Sequence, residues 1–132
     1  MRTDTDDPIP SEHDADGYAL IGACFDVYNE MGNGYLEDVY QESTEIELTE
    51  RGIPFIAQPK LPIFYKGHQL RKQYQADLLV LDKIIVEIKA VKALLPEHEA
   101  QLLNYLKATN RHVGYVVNFG AYPKLDWRRR LR

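Results

Sequence analysis

The sequence contains a single cysteine, Cys24, among 132 residues. One cysteine excludes a disulfide within the chain and a cysteine-based metal cluster, and we expect Cys24 to be a small buried side chain. No uninterrupted apolar run approaches the roughly 20 residues of a membrane-spanning helix. The acidic N-terminus also lacks the apolar segment of a secretory signal peptide. These absences predict a cytoplasmic protein that makes no membrane contact.

Most of the chain also lacks an excess of charge of either sign, although the formal net charge of the whole chain is −4. Residues 1–16 hold six acids and one base (net −5), whereas the remainder holds 14 acids and 15 bases (net +1). Because they include Pro8 and Pro10 and lack apolar periodicity, residues 1–16 are predicted to be a flexible acidic tail. Residues 17–127 are expected to form a single domain and 128–132 a basic C-terminal tail. The nearly neutral body neither supports nor excludes a nucleic-acid partner.

Three segments have the apolar spacing of helices: residues 17–31, 36–51 and 97–109. The first carries two apolar stripes, so we expect it to be buried over much of its surface, with Tyr18 in one of the stripes. Leu36 is expected to pack inward at the start of the second helix. Glycines after the first two helices and a proline before the third supply the expected boundaries.

Short apolar runs bounded by turn residues predict strands at 55–57, 61–65, 69–74 and 112–118. The chain then ends with an aromatic residue and four arginines, namely Trp127, Arg128, Arg129, Arg130 and Arg132. Arginines beside an aromatic can bind phosphates and bases. A solvated terminus, or a surface that covers a neighbouring chain, explains them equally well.

The segment Asp77–Lys89 has two apolar runs around a polar break at Asp82, which is typical of a hairpin. Because residues two apart share a face of a strand, Glu87 and Lys89 are expected to project together. A hairpin centred on Asp82 also puts Asp77 opposite Glu87 and on the same face. This register requires an odd-length loop or a bulge, since a plain two-residue loop would turn Asp77 away.

Two carboxylates and a lysine at one end of a hairpin have two interpretations. They can form a strand-end salt bridge, or the carboxylates can bind a hard divalent cation while the lysine contacts a reacting phosphate. Mg²⁺ usually takes one or two protein carboxylates together with waters and substrate phosphate oxygens, and it acidifies a bound water. A lysine adds a compact positive charge that stabilises the transition state. The pattern alone leaves both interpretations open.

Three motifs carry a resemblance to known families. Gly34–Tyr40, which reads G-Y-L-E-D-V-Y, resembles the name-giving motif of the GxxExxY protein family. Asp77 with Glu87–Lys89, followed by Gln101–Tyr105, resembles the PD-(D/E)XK nuclease superfamily, nearest its RecB-like branch. The resemblance covers roughly residues 18–127. It implies a restriction-endonuclease-like core, an α/β fold in which helices flank a central mixed β-sheet.

The resemblance also implies metal ligands. Asp77 and Glu87 would bind Mg²⁺ or Mn²⁺, and Glu37 would be an added ligand, direct or through water. Taken alone, Glu37 has a simpler explanation, because an acid in the first turn of a helix interacts favourably with the helix N-terminus.

The remaining roles that the resemblance implies concern Lys89, Gln101 and Tyr105. Lys89 would be the catalytic lysine, and Gln101 and Tyr105 would orient the site or contact substrate phosphate. Without the resemblance, Gln101 and Tyr105 are simply the flank of a half-buried helix. The chain departs from the family pattern at Ala76, where proline is usual, and at Gln75, where arginine is frequent. The second departure weakens one phosphate contact.

Three hypotheses of function follow. The first is a Mg²⁺-dependent nuclease that hydrolyses phosphodiester bonds of DNA, with RNA less favoured. The second is a non-catalytic nucleic-acid-binding or assembly module on the same fold, because fold does not fix function. The third is a partner-binding subunit that uses Trp127 and the arginine tail. A homodimer would let so small a chain span a duplex, although nothing in the sequence requires one.

Overall fold

The computed structural model describes residues 11–132, with side chains from residue 15 onward. It has three helices, α1 (Ser11–Met31), α2 (Glu37–Glu50) and α3 (Pro96–Ala108). Its seven strands are β1 (Phe55–Ala57), β2 (Lys60–Tyr65), β3 (His68–Gln75), β4 (Leu78–Val80), β5 (Ile84–Lys89), β6 (Val113–Asn118) and β7 (Asp126–Leu131). Residues 1–10 of the predicted acidic tail lie outside the described part, and α1 begins six residues before its predicted start at residue 17.

The strands form a five-stranded sheet in the order β1-β4-β5-β6-β7 and a separate two-stranded sheet of β2 and β3. Strands β5 and β6 are parallel, and every other pair is antiparallel. A parallel pair needs a crossover connection, and α3 supplies it here. The expectation of an α/β fold with a central mixed sheet flanked by helices is therefore confirmed.

The two faces of the large sheet are covered by different elements. Alternate side chains of β5 point to opposite faces and belong to different hydrophobic cores. Ile84, Val86 and Ile88 belong to the larger hydrophobic core, which includes residues of α1 and α2. Ile85 belongs to a smaller core with residues of α3 and of the β2–β3 hairpin. Since Glu87 and Lys89 have the same parity as Ile85, they lie on the α3 face of the sheet.

The first helix is buried along much of its length, as predicted. Leu20, Ala23 and Val27 are in the core, together with Cys24, whose burial raises its pKa to about 12. At that pKa the thiol stays protonated and unreactive at neutral pH, as expected of a small structural side chain.

Two apolar side chains of the helices are exposed, contrary to expectation. Tyr18 is 78% exposed because the preceding Gly17 contacts the sheet at Tyr115, and the next residue of a helix turns about 100° away. Leu36 is 80% exposed because it is the extended N-cap residue of α2, outside the helical turn that would direct it inward.

The prediction that residues 128–132 form a basic C-terminal tail was wrong. Most of these residues belong to β7, which is antiparallel to β6. Alternate residues of β7 are buried, Trp127 at 8% and Arg129 at 1% exposure. Arg128 and Arg130 have the opposite parity and both form ion pairs with Glu99 of α3. The arginines therefore hold α3 against the edge of the sheet.

We predict that Trp127→Ala lowers the free energy of unfolding by about 3–5 kcal/mol, because it empties a buried site beside the ring of Tyr115. The matched control is Tyr122→Ala, which removes a ring that is 80% exposed and should cost less than about 0.5 kcal/mol. Urea unfolding followed by circular dichroism measures both. Equal costs for the two variants would mean that β7 does not belong to the folded core.

Candidate active site

The central hairpin has the register that the sequence predicts. Leu78 pairs with Val86 and Val80 with Ile84, which leaves the three-residue loop 81–83. An odd-length loop was required, and two of its residues have the left-handed backbone that tight turns need, with φ of 55° and 58°. Extended by one pair, this register puts Asp77 opposite Glu87.

Asp77 lies in a bend immediately before β4, and its carboxylate binds the backbone of β5. Strand β5 continues beyond the paired part of β4, and Asp77 Oδ2 accepts a hydrogen bond from the N–H of Ile88 at 2.6 Å. The side chain of Gln41 on α2 donates to the Asp77 carbonyl oxygen at 2.9 Å. Asp77 thereby joins β5 to α2, and one of its two carboxylate oxygens remains for another ligand.

Burial raises the pKa of Asp77 above its usual range, the Ile88 N–H lowers it, and repulsion from Glu37 raises it further. Burial raises the pKa of Glu87 to about 7; Lys89 opposes this shift and Glu37 adds to it. The charge on Lys89 also lowers the pKa of Asp77. Glu37 thus raises the cost of ionising both hairpin carboxylates, and Lys89 lowers it.

Glu37 is exposed in the first turn of α2. Its charge acts on both hairpin carboxylates, yet residues 15–132, whose side chains are described, contain no group of three histidine, cysteine or acidic side chains placed to hold a metal ion. The three-carboxylate set of Glu37, Asp77 and Glu87 therefore stays a prediction. A donor set of two hairpin carboxylates fits Mg²⁺, which usually takes one or two from the protein.

A cavity of about 540 Å³ opens beside the end of β5. Four of the predicted site residues line it: Glu87, Lys89, Gln101 and Tyr105. Asp77 does not line it, because its carboxylate turns toward the backbone of Ile88. The sequence pattern thus brings four side chains from β5 and α3 to one concave surface, with Asp77 at its edge.

The chain that leaves Lys89 is fixed from the neighbouring strand. Asn118, at the end of β6, accepts from the N–H of Val91 and donates to its carbonyl oxygen, both at 2.9 Å. The N–H of Phe119 donates to the carbonyl oxygen of Lys89 at 2.8 Å. Gly120 leaves no room for a Cβ, which would lie 2.4 Å from the Val91 carbonyl oxygen. Lys89 is therefore held on a rigid backbone.

The wall of the cavity opposite β5 comes from the β2–β3 hairpin, whose part in the site the sequence analysis did not predict. This hairpin contributes Lys60, Arg71, Lys72, Gln73, Tyr74 and Gln75. The ring of Tyr74 stacks on Tyr105 with centroids 3.9 Å apart and planes 6° apart, which holds the hairpin against α3. One signal could have indicated this wall, since residues 58–76 contain four basic residues and no acid.

His98 of α3 also lines the cavity. Its Nδ1 accepts a hydrogen bond from the N–H of Leu95 at 3.0 Å, which satisfies a backbone donor at the start of the helix. A neutral imidazole that accepts at Nδ1 carries its proton on Nε2. The ring therefore has one donor that the helix start does not use.

Comparison with known proteins agrees with this geometry. A family model of the PD-(D/E)XK nuclease superfamily matches residues 14–130. Four chains of solved structures also match. One is the crystal structure of SSO0001, with a TM-score of 0.57 and 19% identity over 72% of this chain. The chain spans 49% of the length of that protein, and at this identity the likeness shows the fold alone. No curated protein matches the chain.

We predict that Asp77→Asn leaves the fold nearly as stable as wild type and that Asp77→Ala does not. Asparagine retains an oxygen that can accept from Ile88, whereas alanine leaves that N–H unpaired and should lower the free energy of unfolding by about 1–3 kcal/mol. Urea unfolding of Asp77→Asn and Asp77→Ala in EDTA measures the difference. Equal stabilities would show that the bond to Ile88 contributes nothing, and a stable asparagine variant is the appropriate one for testing metal binding.

The stability of the metal-free protein should depend on pH through Glu87. Its pKa of about 7 in the folded chain exceeds its ordinary value of 4.5. The associated stability is therefore complete below about pH 4.5 and is lost as the pH rises through 7. Glu87→Gln removes the charge, so this variant should be more stable than wild type by on the order of 2 kcal/mol at alkaline pH.

Urea unfolding in EDTA across this pH range checks the prediction, with Glu42→Gln, an exposed acid of α2, as the control. The advantage of Glu87→Gln should nearly vanish in acid, while Glu42→Gln should follow wild type throughout. A difference between Glu87→Gln and wild type that does not change with pH would show that Glu87 ionises normally in the folded chain.

Proposed function

The chain belongs to the PD-(D/E)XK nuclease superfamily, and from that premise we propose that it is a metal-dependent nuclease that hydrolyses phosphodiester bonds of DNA. The observation that carries this proposal is the convergence of Glu87, Lys89 and Gln101 on one open cavity, with Asp77 in register opposite Glu87. A salt bridge alone does not require a cavity, an adjoining basic wall, or an acid whose pKa is about 7.

Finer assignments belong to the same proposal. The order of Glu87, Lys89, Gln101 and Tyr105 on a strand and the following helix supports the RecB-like branch. Glu37 at the start of α2, with a charge that acts on both hairpin carboxylates, supports membership of the GxxExxY family. We propose DNA rather than RNA as the substrate and the cytoplasm as the location. No described helix is long and apolar enough to cross a membrane.

Asp77 and Glu87 are the residues that would hold Mg²⁺ or Mn²⁺. Both are half-buried carboxylates whose pKa values are raised mainly by burial, so a bound cation would offset the cost of ionising them. When bound, such a cation supplies an acidified water and charge stabilisation at the phosphate. The bond from Ile88 to Asp77 fixes one ligand in place before any cation binds.

The other side chains act on the substrate. Lys89 brings a positive charge into the cavity, where it stabilises negative charge that develops on the phosphate. Gln101 can donate to a phosphate oxygen from the exposed face of α3. The stack of Tyr105 on Tyr74 keeps the position of α3 constant relative to the β2–β3 wall. These groups bind and orient, while the carboxylates hold the cation.

One observation favours a second function, a nucleic-acid-binding or assembly module without turnover. Among the side chains that the structure describes, from residue 15 onward, there is no preformed group of three metal-ligating residues. On this alternative Asp77 is a structural acceptor for Ile88, and the basic wall alone binds nucleic acid. Metal binding separates the two functions, because the module has no need of a cation.

We predict that wild type binds Mn²⁺ in calorimetry and that the double variant Asp77→Asn/Glu87→Gln does not. In a cleavage assay on DNA with Mg²⁺, Glu87→Gln should lose activity. Lys89→Gln should keep Mn²⁺ binding and lose activity by about 100-fold or more, because it removes only charge stabilisation. The control for charge alone is Lys124→Gln, outside the cavity.

Two results would reject the nuclease. The first is cleavage that survives EDTA or Glu87→Gln. The second is a wild type that fails to bind Mn²⁺ even with an oligonucleotide present, since substrate phosphates can complete the metal shell. The second result would favour the binding module.

A further inference from the structure

The β2–β3 hairpin carries a concentration of positive charge that the proposed chemistry does not use. Residues 58–76 contain Lys60, Lys66, Arg71 and Lys72 and no acid, in a chain whose formal net charge is −4. Within the described part of the chain, these four bases have no ion-pair partner. The first six residues of β3, His68–Gln73, are all exposed. The hairpin therefore presents its charge to solvent.

The register separates the two faces of this hairpin. Leu61 pairs with Tyr74, and both belong to the smaller core. The pairs on either side of it have the opposite parity: Lys60 with Gln75, and Pro62 with Gln73. The register shifts between Pro62 and Phe64; beyond the shift Phe64 pairs with Gln69 and is 42% exposed. The face away from the core is thus polar around Lys60, and the exposed ring of Phe64 lies farther along β2.

Phe64 also connects the hairpin to a second cavity, of about 760 Å³. This cavity lies where α3 ends and where β5 and β6 begin, and it is lined by Phe64, Asp82, Lys83, Thr109, Asn110, Arg111, His112 and Val113. Two bases, Lys83 and Arg111, line it against one acid, Asp82. The first cavity includes Lys60 and the second includes Phe64, so β2 runs from one to the other, a distance of about 13 Å at the rise of a strand.

We propose that the β2–β3 hairpin is the binding arm for a single strand of DNA. Lys60 and Arg71 hold its phosphates beside the first cavity, and an unpaired base stacks on Phe64 at the second. The proposal rests on the proposed nuclease function and names its substrate class.

The combination of basic side chains with an exposed aromatic ring favours single-stranded DNA over duplex DNA as the ligand. Basic side chains attract any phosphate backbone, whatever its sequence or strandedness. An aromatic ring gains stacking energy only from a base whose face is accessible, as in a single strand. Phe64 and Lys60 lie on the same strand, β2, only four residues apart, so one strand of DNA can contact both. The arm is therefore built for a strand with unpaired bases.

The test is fluorescence anisotropy in EDTA with a fluorescein-labelled oligothymidylate and with a duplex of equal length. Wild type should bind the single strand more tightly. Phe64→Ala should weaken that binding by about tenfold or more and leave duplex binding nearly unchanged. Arg71→Gln should weaken both and should reduce the salt dependence of single-strand binding by roughly 0.7 in log K against log salt.

Two matched controls lie away from the arm. Tyr18→Ala removes an exposed ring from α1, on the opposite face of the sheet, and Lys124→Gln removes a base from the connection between β6 and β7. Neither should change single-strand affinity by more than about twofold. Melting temperatures close to wild type would establish that each variant is folded, as expected at exposed positions.

The proposal is overturned if wild type does not bind the single strand, if it prefers the duplex, or if Phe64→Ala binds like Tyr18→Ala. These outcomes are independent of the nuclease chemistry, because no metal is present in the assay. If only Mn²⁺ binding fails, the nuclease proposal is rejected and the binding-arm proposal stands. If only single-strand binding in the anisotropy assay fails, the binding-arm proposal is rejected and the nuclease proposal stands.

Discussion

The hydrogen bond from the N–H of Ile88 to Asp77 Oδ2 is the contact on which the geometry of the candidate site depends. It forms because β5 extends past the end of β4, so its last backbone donors need a partner that is not a strand. A carboxylate meets that need and is drawn into a half-buried position opposite Glu87. The cost is electrostatic, since both carboxylates then have raised pKa values. The same bond that completes the sheet therefore brings together two carboxylates that are costly to ionise.

Rigid surroundings keep this arrangement in place. On one side Gln41 ties Asp77 to α2, and on the other Asn118 brackets the chain that leaves β5. Helix α3 is fixed at two points, by the stack of Tyr105 on Tyr74 and by the pairing of Glu99 with two arginines of β7. A site that binds charge gains most from groups that do not have to reorganise, because preorganised dipoles and charges incur no reorganisation cost when the reaction occurs.

The sequence predicted the elements whose patterns are local. The two-residue period around Asp82 was sufficient for the hairpin register, and four of the five residues predicted to be catalytic line one cavity. Strand β7 was missed because Arg129, at 1% exposure, contradicts the rule that arginine stays at the surface. Asp77 was placed by strand parity, yet β4 begins only at the next residue, so its carboxylate follows the bend and not the strand. The burial of Arg129 depends on tertiary packing, and the position of Asp77 on a tertiary hydrogen bond, and no local period encodes either.

The distribution of charge in the fold addresses a problem that the proposed function would pose. A site with two ionised carboxylates repels a polyanion, and a chain with a net charge of −4 repels it at longer range. The four bases between residues 58 and 76 lie on a separate two-stranded sheet that forms one wall of the cavity. The β2–β3 hairpin therefore attracts the nucleic acid, whereas the carboxylates of the site repel it. A strand held by the hairpin can lie beside the carboxylates at little cost only when a cation offsets their charge. On the proposed function, this makes a cation a condition for close approach of the phosphate as well as for its hydrolysis.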